Sequence, residues 1–265
     1  MVSLYDAPSA LLCCEAGVDL LLVGDSLGNV ILGYEHTLPV TIEVMEHHTA
    51  AVARGARSSS RPDVPVVADM PFGSYHGSGD ATLANALRLM RAGAQAVKLE
   101  GAGPRAMEAI ALLSEAGIPV MGHLGYTPQS ALTLAKVVHD KSSAAASKLM
   151  EESEAVERAG CFAVVLEVVR IEAASEITGR LSIPTIGIGS GPHCDGQVLI
   201  FHDLLGLSAT APYKFVRRFA DVHAEMARGV GEYVREVRGG GFPTAAHGWA
   251  MDPGDAKDRR EESTS

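Results

Sequence analysis

Arg91-Ala92-Gly93-Ala94-Gln95-Ala96-Val97-Lys98-Leu99-Glu100 holds one structural unit in miniature. An Ala-rich stretch of helical length, Ala81–Ala92, stops at Gly93, the residue type that most readily takes the left-handed conformation closing a helix. The run Ala96–Glu100 then reads as a strand. The same grammar recurs where Glu115-Ala116-Gly117 precedes Pro119–His123 and where Arg158-Ala159-Gly160 precedes Ala163–Glu167. Further runs at Leu20–Gly24, Pro65–Asp69, Pro184–Ile188 and Val198–His202 are rich in Val, Ile and Leu, as parallel strands covered on both faces are. Helical patterns at Glu43–Ala56, Pro104–Ala116, Ala144–Ala159 and Glu172–Leu181 lie among them, and a long helix is predicted from about Lys214 to Val237. With Val2–Leu4 as the first strand, the repeated βα units predict a single (β/α)8 TIM barrel over residues 1–249, its first strand short or incomplete. An open doubly wound sheet is the competing arrangement. Residues 250–265 are charged and predicted to form a disordered tail.

Composition agrees with this plan. Apolar residues make up 47% of 265, enough for a large core, while aromatics are only 5% and Gly and Ala are abundant, which favours close helix-on-strand packing. The 32 acidic against 22 basic residues give −10, the wrong sign for holding phosphate backbones, so nucleic acid is excluded as a partner. The absence of Lys or Arg before Arg54 argues against a secretory or organellar leader. Apolar stretches such as Leu20–Gly24 fall far short of the ~20 residues that span a bilayer, so no membrane partner is expected. Cys13, Cys14, Cys161 and Cys194 have no zinc spacing and read as reduced, mostly buried thiols, hence a cytoplasmic protein.

The strand ends carry the chemistry. Asp25-Ser26, Asp69, Lys98 with Glu100, His123 and Glu167 close five successive runs, and in a barrel every such end opens on one rim. A lone acid after a strand more often caps the next helix. Four in consecutive units, two of them Glu, are hard to read as caps. The two-residue spacing puts Lys98 and Glu100 on one strand face. Several carboxylates together repel unless positive charge lies between them, and oxygen donors without clustered His or Cys suit a hard cation such as Mg²⁺ better than zinc. His123 reads either as a substrate-facing group or as a structural imidazole. Gly187-Ile188-Gly189-Ser190-Gly191-Pro192, ahead of an expected helix start at Asp195-Gly196-Gln197, reads equally as a phosphate nest or as a tight βα turn.

Blocks spread from about Tyr5 to Pro243 carry a resemblance. They are Gly24-Asp25-Ser26-Leu27-Gly28, Val67-Ala68-Asp69-Met70-Pro71-Phe72-Gly73-Ser74-Tyr75, Ala96-Val97-Lys98-Leu99-Glu100-Gly101, Pro119-Val120-Met121-Gly122-His123-Leu124-Gly125 and Ile183-Pro184-Thr185-Ile186-Gly187-Ile188-Gly189. In order and spacing the chain resembles the ketopantoate hydroxymethyltransferase family. That resemblance implies a TIM barrel assembled as a homo-oligomer, a decamer. It also implies transfer of a one-carbon unit from 5,10-methylenetetrahydrofolate to the 2-oxo acid 3-methyl-2-oxobutanoate, giving 2-dehydropantoate for pantothenate and coenzyme A. It further implies that Asp25 and Asp69 ligate Mg²⁺, that Glu100 completes the shell, that Ser26 and Lys98 hold the 2-oxo acid beside Asp25, Asp69 and His123, and that Glu167 takes the proton from C3. The chain departs from the family pattern in its short stretch before Tyr5, in Ala135-Lys136-Val137-Val138-His139-Asp140, in Tyr126 and in Val168. Two other readings remain: a 2-oxo-acid lyase or mutase of the phosphoenolpyruvate mutase and isocitrate lyase group, and a non-catalytic paralogue. The first lacks the Lys-Cys pair it would need.

Overall fold

The computed structural model describes residues 1–130, 132, 143–208 and 213–250. The departing segment 135–140 and the tail from 251 onward lie outside the described residues. The chain divides into two compact units, Met1–Phe219 and Ala220–Ser265.

In the first unit the elements alternate. They are β1 (Val2–Ser3), α1 (Ala7–Glu15), β2 (Leu21–Val23), α2 (Leu27–Val30), α3 (Ile42–Arg57), β3 (Val66–Asp69), α4 (Gly79–Ala92), β4 (Ala96–Glu100), α5 (Pro104–Glu115), β5 (Val120–Gly125), α6 (Ser143–Arg158), β6 (Cys161–Glu167), α7 (Ile171–Arg180), β7 (Thr185–Ile188), β8 (Gly196–Gln197), β9 (Leu199–Ile200) and α8 (Phe201–Leu204). The sheet order is β8-β7-β6-β5-β4-β3-β2-β1-β9, every pair parallel. The two ends of that order are separated in sequence by Val198 alone, which donates its N–H to Gly187 O at 3.0 Å. One short segment therefore pairs with β7 on one side and β1 on the other, and the sheet closes into a (β/α)8-like TIM barrel. The first strand is as short as the sequence suggested.

Helix starts and stops follow local chemistry. The Asp6 carboxylate accepts from Ser9 N–H at 2.8 Å to open α1, Thr41 and Ser78 cap α3 and α4 in the same way, and Gly93 ends α4 at φ 116°. Three expectations shift. The closing strand lies at Gly196–Ile200, because Phe201 and His202 open α8 instead. Asp195-Gly196-Gln197 starts no helix: the Asp195 carboxylate accepts from Thr185 N–H at 2.9 Å, tying this segment to β7 as a strand. The long helix begins only at Val222, with the Asp221 carboxylate accepting from Ala224 N–H, and forms α9 (Val222–Gly239) in the second unit.

Strand alternation builds two layers and aims the site. Leu22, Val67, Ala96, Met121, Ala163, Val165, Ile186 and Val198 fill the barrel interior. Leu21, Val23, Val66, Ala68, Val97, Leu99, Val120, Leu124, Val164 and Leu166 belong to the layer under the helices. Fully burying such a side chain stabilises by about 1.5–3 kcal/mol, so strand register is strongly fixed. Two residues beyond the interior side chains Val67, Ala96, Met121 and Val165 come Asp69, Lys98, His123 and Glu167, and Glu100 lies two beyond Lys98. The period of the pleat carries each of them inward at the C-terminal mouth.

Candidate functional site

Two glycines make room for these groups. A Cβ at Gly24 would sit 2.6 Å from Ser3 Oγ and 2.8 Å from Ser26 Oγ, so only glycine lets the end of β2 approach its neighbours here. At Gly125 φ is 91°, and a side chain would collide with the Glu167 carbonyl.

The mouth holds a continuous chain of polar contacts. Asp25 N–H donates to Asp69 Oδ2 at 3.0 Å, and Lys98 Nζ lies 2.9 Å from Asp69 Oδ1 and 3.2 Å from His123 Nδ1. His123 Nδ1 is 3.3 Å from Glu100 Oε1, and its Nε2 is 3.1 Å from Glu167 Oε2. Asp69 Oδ1 and His123 Nε2 are paired by charge and proximity but neither makes an aligned hydrogen bond. All are deeply buried except Glu167, whose side chain keeps 17% of its exposure against 3–4% for the others. Ser26 lies next to Asp25 and its Oγ bonds the Tyr5 hydroxyl at 2.8 Å. The structure thus brings Asp25, Asp69, Lys98, Glu100, His123 and Glu167 into one cluster, with Ser26 at its edge.

Sequence reasoning missed Gln129 and Tyr75. Gln129 Nε2 donates to Asp25 Oδ2 at 2.9 Å, Gln129 N–H donates to Glu100 Oε2 at 3.0 Å, and the Tyr75 hydroxyl donates to Gln129 Oε1 at 2.7 Å. Tyr75 closes the block Gly73-Ser74-Tyr75, and Gln129 stands in the stretch that follows His123. A neutral polar residue in a turn, or in a single 3-10 turn such as Pro128–Ser130, has no periodicity to betray it.

The Gly187–Pro192 stretch acts as a turn. Gly189 and Gly191 take φ of 68° and 82°, and between them Ser190 Oγ donates to Leu166 O at 2.7 Å and accepts from Val169 N–H at 3.0 Å. That staple steadies the backbone beside Glu167. Val168 has φ 53°, a left-handed geometry that costs a non-glycine residue roughly 1–2 kcal/mol. Val168 N–H donates to Ile188 O at 2.8 Å and Tyr126 N–H donates to Glu167 O at 2.8 Å, so both neighbouring strands hold the strained turn in place.

Charge explains the titration behaviour. Burial, then the Asp69 and Glu100 carboxylates, push Asp25 well above the usual carboxylate range, against Lys98 and the Gln129 amide. Burial and Lys98 pull His123 down, but Glu100 and Glu167 prevail and raise it to about 9. Burial would also raise Glu100, yet His123, Lys98 and the Gln129 amide hold it low. Asp25 and His123 both have folded pKa values above their unfolded ones, so each contributes stability that is complete at low pH and lost as pH rises. Glu100 acts oppositely, and only near its ordinary value of 4.5 and below. Chelator-treated protein is therefore expected to lose on the order of 3 kcal/mol of unfolding free energy as pH climbs from 6.5 through about 9. Guanidinium denaturation across that range measures it, and flat or rising stability would contradict this electrostatic picture.

The donor set fits a hard divalent cation. The carboxyl groups of Asp25, Asp69, Glu100 and Glu167 outnumber the one lysine and one imidazolium that they face, so a further positive charge among them is favoured. Asp69 Oδ1 is a buried oxygen without an aligned donor. Among the described residues no three His, Cys, Asp or Glu side chains form a preformed metal cluster, since Glu100 is turned toward His123 and the Gln129 N–H. No helix among the described residues is long and apolar enough to cross a membrane.

Comparison with known proteins bears on the same residues' setting. The family model described as "Ketopantoate hydroxymethyltransferase" matches residues 1–245. The chain is 50% identical over 255 residues to the 3-methyl-2-oxobutanoate hydroxymethyltransferase of Carboxydothermus hydrogenoformans, covering 96% of this chain and 90% of that one. It is 48% identical over 259 residues to the enzyme of the same name from Listeria monocytogenes, covering 97% and 91%. Among solved structures, 2,3-dimethylmalate lyase, a PEP mutase/isocitrate lyase superfamily member, superposes with a TM-score of 0.56 at 17% identity, covering 100% and 93%. At that identity the likeness concerns the barrel alone.

Proposed function

This chain belongs to the ketopantoate hydroxymethyltransferase family and is therefore an enzyme of hydroxymethyl transfer, and we propose that its mouth enolises 3-methyl-2-oxobutanoate and passes it a one-carbon unit from 5,10-methylenetetrahydrofolate. One observation carries the reading: an unbroken run of contacts, Asp25–Asp69–Lys98–His123–Glu167, spans the mouth. It links the carboxylates suited to a cation with the one carboxylate that keeps solvent access.

In this mechanism Asp25 and Asp69 would hold Mg²⁺, with Glu100 standing one step behind. The ion would supply positive charge beside the keto oxygen of the bound acid. Lys98 and Ser26 bind the substrate carboxylate, which fixes the C3–H bond toward β6. Glu167 removes the C3 proton as general base, and His123 Nε2, facing Glu167 Oε2, keeps that carboxylate aimed. The C3 carbanion then bonds to the folate-borne methylene carbon, water supplies the hydroxyl oxygen, and tetrahydrofolate departs. Family membership supports a cytoplasmic homo-oligomer, a decamer, which a light-scattering mass tests; a monomer's mass would overturn the assembly alone.

The decisive assay gives Mg²⁺-supplemented protein 3-methyl-2-oxobutanoate in deuterated water without folate. Deuterium is expected at C3, and 2-dehydropantoate on adding methylenetetrahydrofolate. Exchange with no product after that addition would refute transfer.

A further inference from the structure

We infer that Gln129 is a positioning residue for the cation site, locked in its working orientation by Tyr75; this rests on the reading above that Asp25 and Asp69 hold the ion. Gln129 is 5% exposed and every polar atom it carries near the site is engaged. Its Nε2 gives one hydrogen to Asp25 Oδ2 at 2.9 Å and one to Met70 O at 3.0 Å, while its own N–H reaches Glu100 Oε2 at 3.0 Å. One residue therefore fixes an oxygen on each of two acids that come from different strands. With Oδ2 of Asp25 engaged by an amide, its other oxygen is the one left for an ion.

The amide has two possible orientations, and its surroundings select one. Turned over, it would set Oε1 against the Asp25 carboxylate and the Met70 carbonyl, acceptor against acceptor. Tyr75 removes the ambiguity. Its hydroxyl accepts from Glu100 N–H at 3.3 Å and lies 2.7 Å from Gln129 Oε1 against 3.4 Å from Glu100 O, so its single proton goes to the closer acceptor, Gln129 Oε1. Tyr75 is itself buried, at 3% exposure, which shields this bond from bulk solvent. The amide is thus held by the hydroxyl on one side and by Asp25 Oδ2 and Met70 O on the other. Partners that orient metal-binding carboxylates in this way typically set affinity by about 10–100-fold.

The test reads binding of Mn²⁺ alone, by the electron spin resonance signal of the free ion, without substrates. Wild-type protein, Asp69→Asn, Gln129→Met and Tyr75→Phe are compared, with near-ultraviolet circular dichroism as the check on folding. Gln129→Met, similar in size but without donors, is expected to bind Mn²⁺ about 10–100-fold more weakly, and Tyr75→Phe several-fold more weakly, with unchanged dichroism. A folded Gln129→Met that binds within twofold of wild type overturns the inference. If Gln129→Met fails to fold, Tyr75→Phe decides by the same twofold criterion. No Mn²⁺ binding by wild type, or wild-type binding by Asp69→Asn, overturns the cation reading and this one together. Loss in Asp69→Asn with full binding in Gln129→Met overturns this one alone.

Discussion

Glu167→Gln should lower deuterium exchange at C3 of 3-methyl-2-oxobutanoate by about 10³-fold while leaving substrate affinity within a few-fold of wild type. The substitution keeps side-chain size and removes basicity. No other carboxylate can stand in for it. Asp69 is paired with Lys98, Glu100 with His123 and Gln129 N–H, and Asp25 is bonded by Gln129, all at 3–6% exposure. The backbone bearing Glu167 is pinned by Tyr126 N–H, by the Val168 bond to Ile188 and by the Ser190 staple, so the amide should sit where the carboxylate sat. The thermal midpoint should fall by only a few degrees near neutral pH, because Glu167 is one of two carboxylates that keep His123 charged and Glu100 remains. Exchange retained within a few-fold would mean another group takes the proton, and the assignment of Glu167 would fall. A loss of exchange matched by loss of binding would point instead to a role in holding the ground state.

What the sequence made legible was whatever obeys a period. The interior residues Val67, Ala96, Met121 and Val165 and the site residues two positions beyond them share the alternation of a strand, so strand ends in the sequence located the mouth. The same logic failed where elements are too short to show a period. β8 and β9 are two residues each, and their place was set by the Asp195 carboxylate on Thr185 and by a helix opening at Phe201. The stretch 214–221 has helical composition but waits for the Asp221 cap. Gln129 and Tyr75 were invisible for a related reason. Their work is done by hydrogen bonds between a turn and a 3-10 helix far apart in the chain, and nothing local in the sequence encodes a partner 54 residues away. Charge counting foresaw repulsion among the acids, yet it could not say that Glu100 would face His123 while Asp25 would face an amide.

Lys98→Met is the substitution that most sharply separates charge balance from coordination at this mouth. Methionine keeps most of the buried stem, so packing changes little while one positive charge disappears. Lys98 lies 2.9 Å from Asp69 Oδ1, and burial, which alone would weaken it, is overcome by Asp69, Glu100 and Asp25, holding it protonated well above the ordinary lysine range. Removing one member of such a buried pair typically costs about 3–5 kcal/mol. For a chain of this size that lowers the thermal midpoint of chelator-treated protein by roughly 10 °C. Asp25 can take up a proton to limit the damage, since its pKa is already raised and Lys98 is one of the groups that hold it down. The loss should therefore be smaller near pH 6 and larger near pH 8.5. The same surplus of negative charge attracts a cation more strongly. At pH 8.5 the variant should bind Mn²⁺ at least about tenfold more tightly than wild type, the effect expected for losing a unit charge about 5 Å from a divalent ion even where water screens the pair fully. Substrate behaves the other way: the 2-oxo acid loses a charged partner and should bind about 10–100-fold more weakly. Opposite signs for cation and substrate are the signature of a lysine that balances the acids and grips the carboxylate. If Mn²⁺ binding weakened along with substrate binding, Lys98 would instead be shaping Asp69 for the ion, and the charge argument for the site would have to be abandoned.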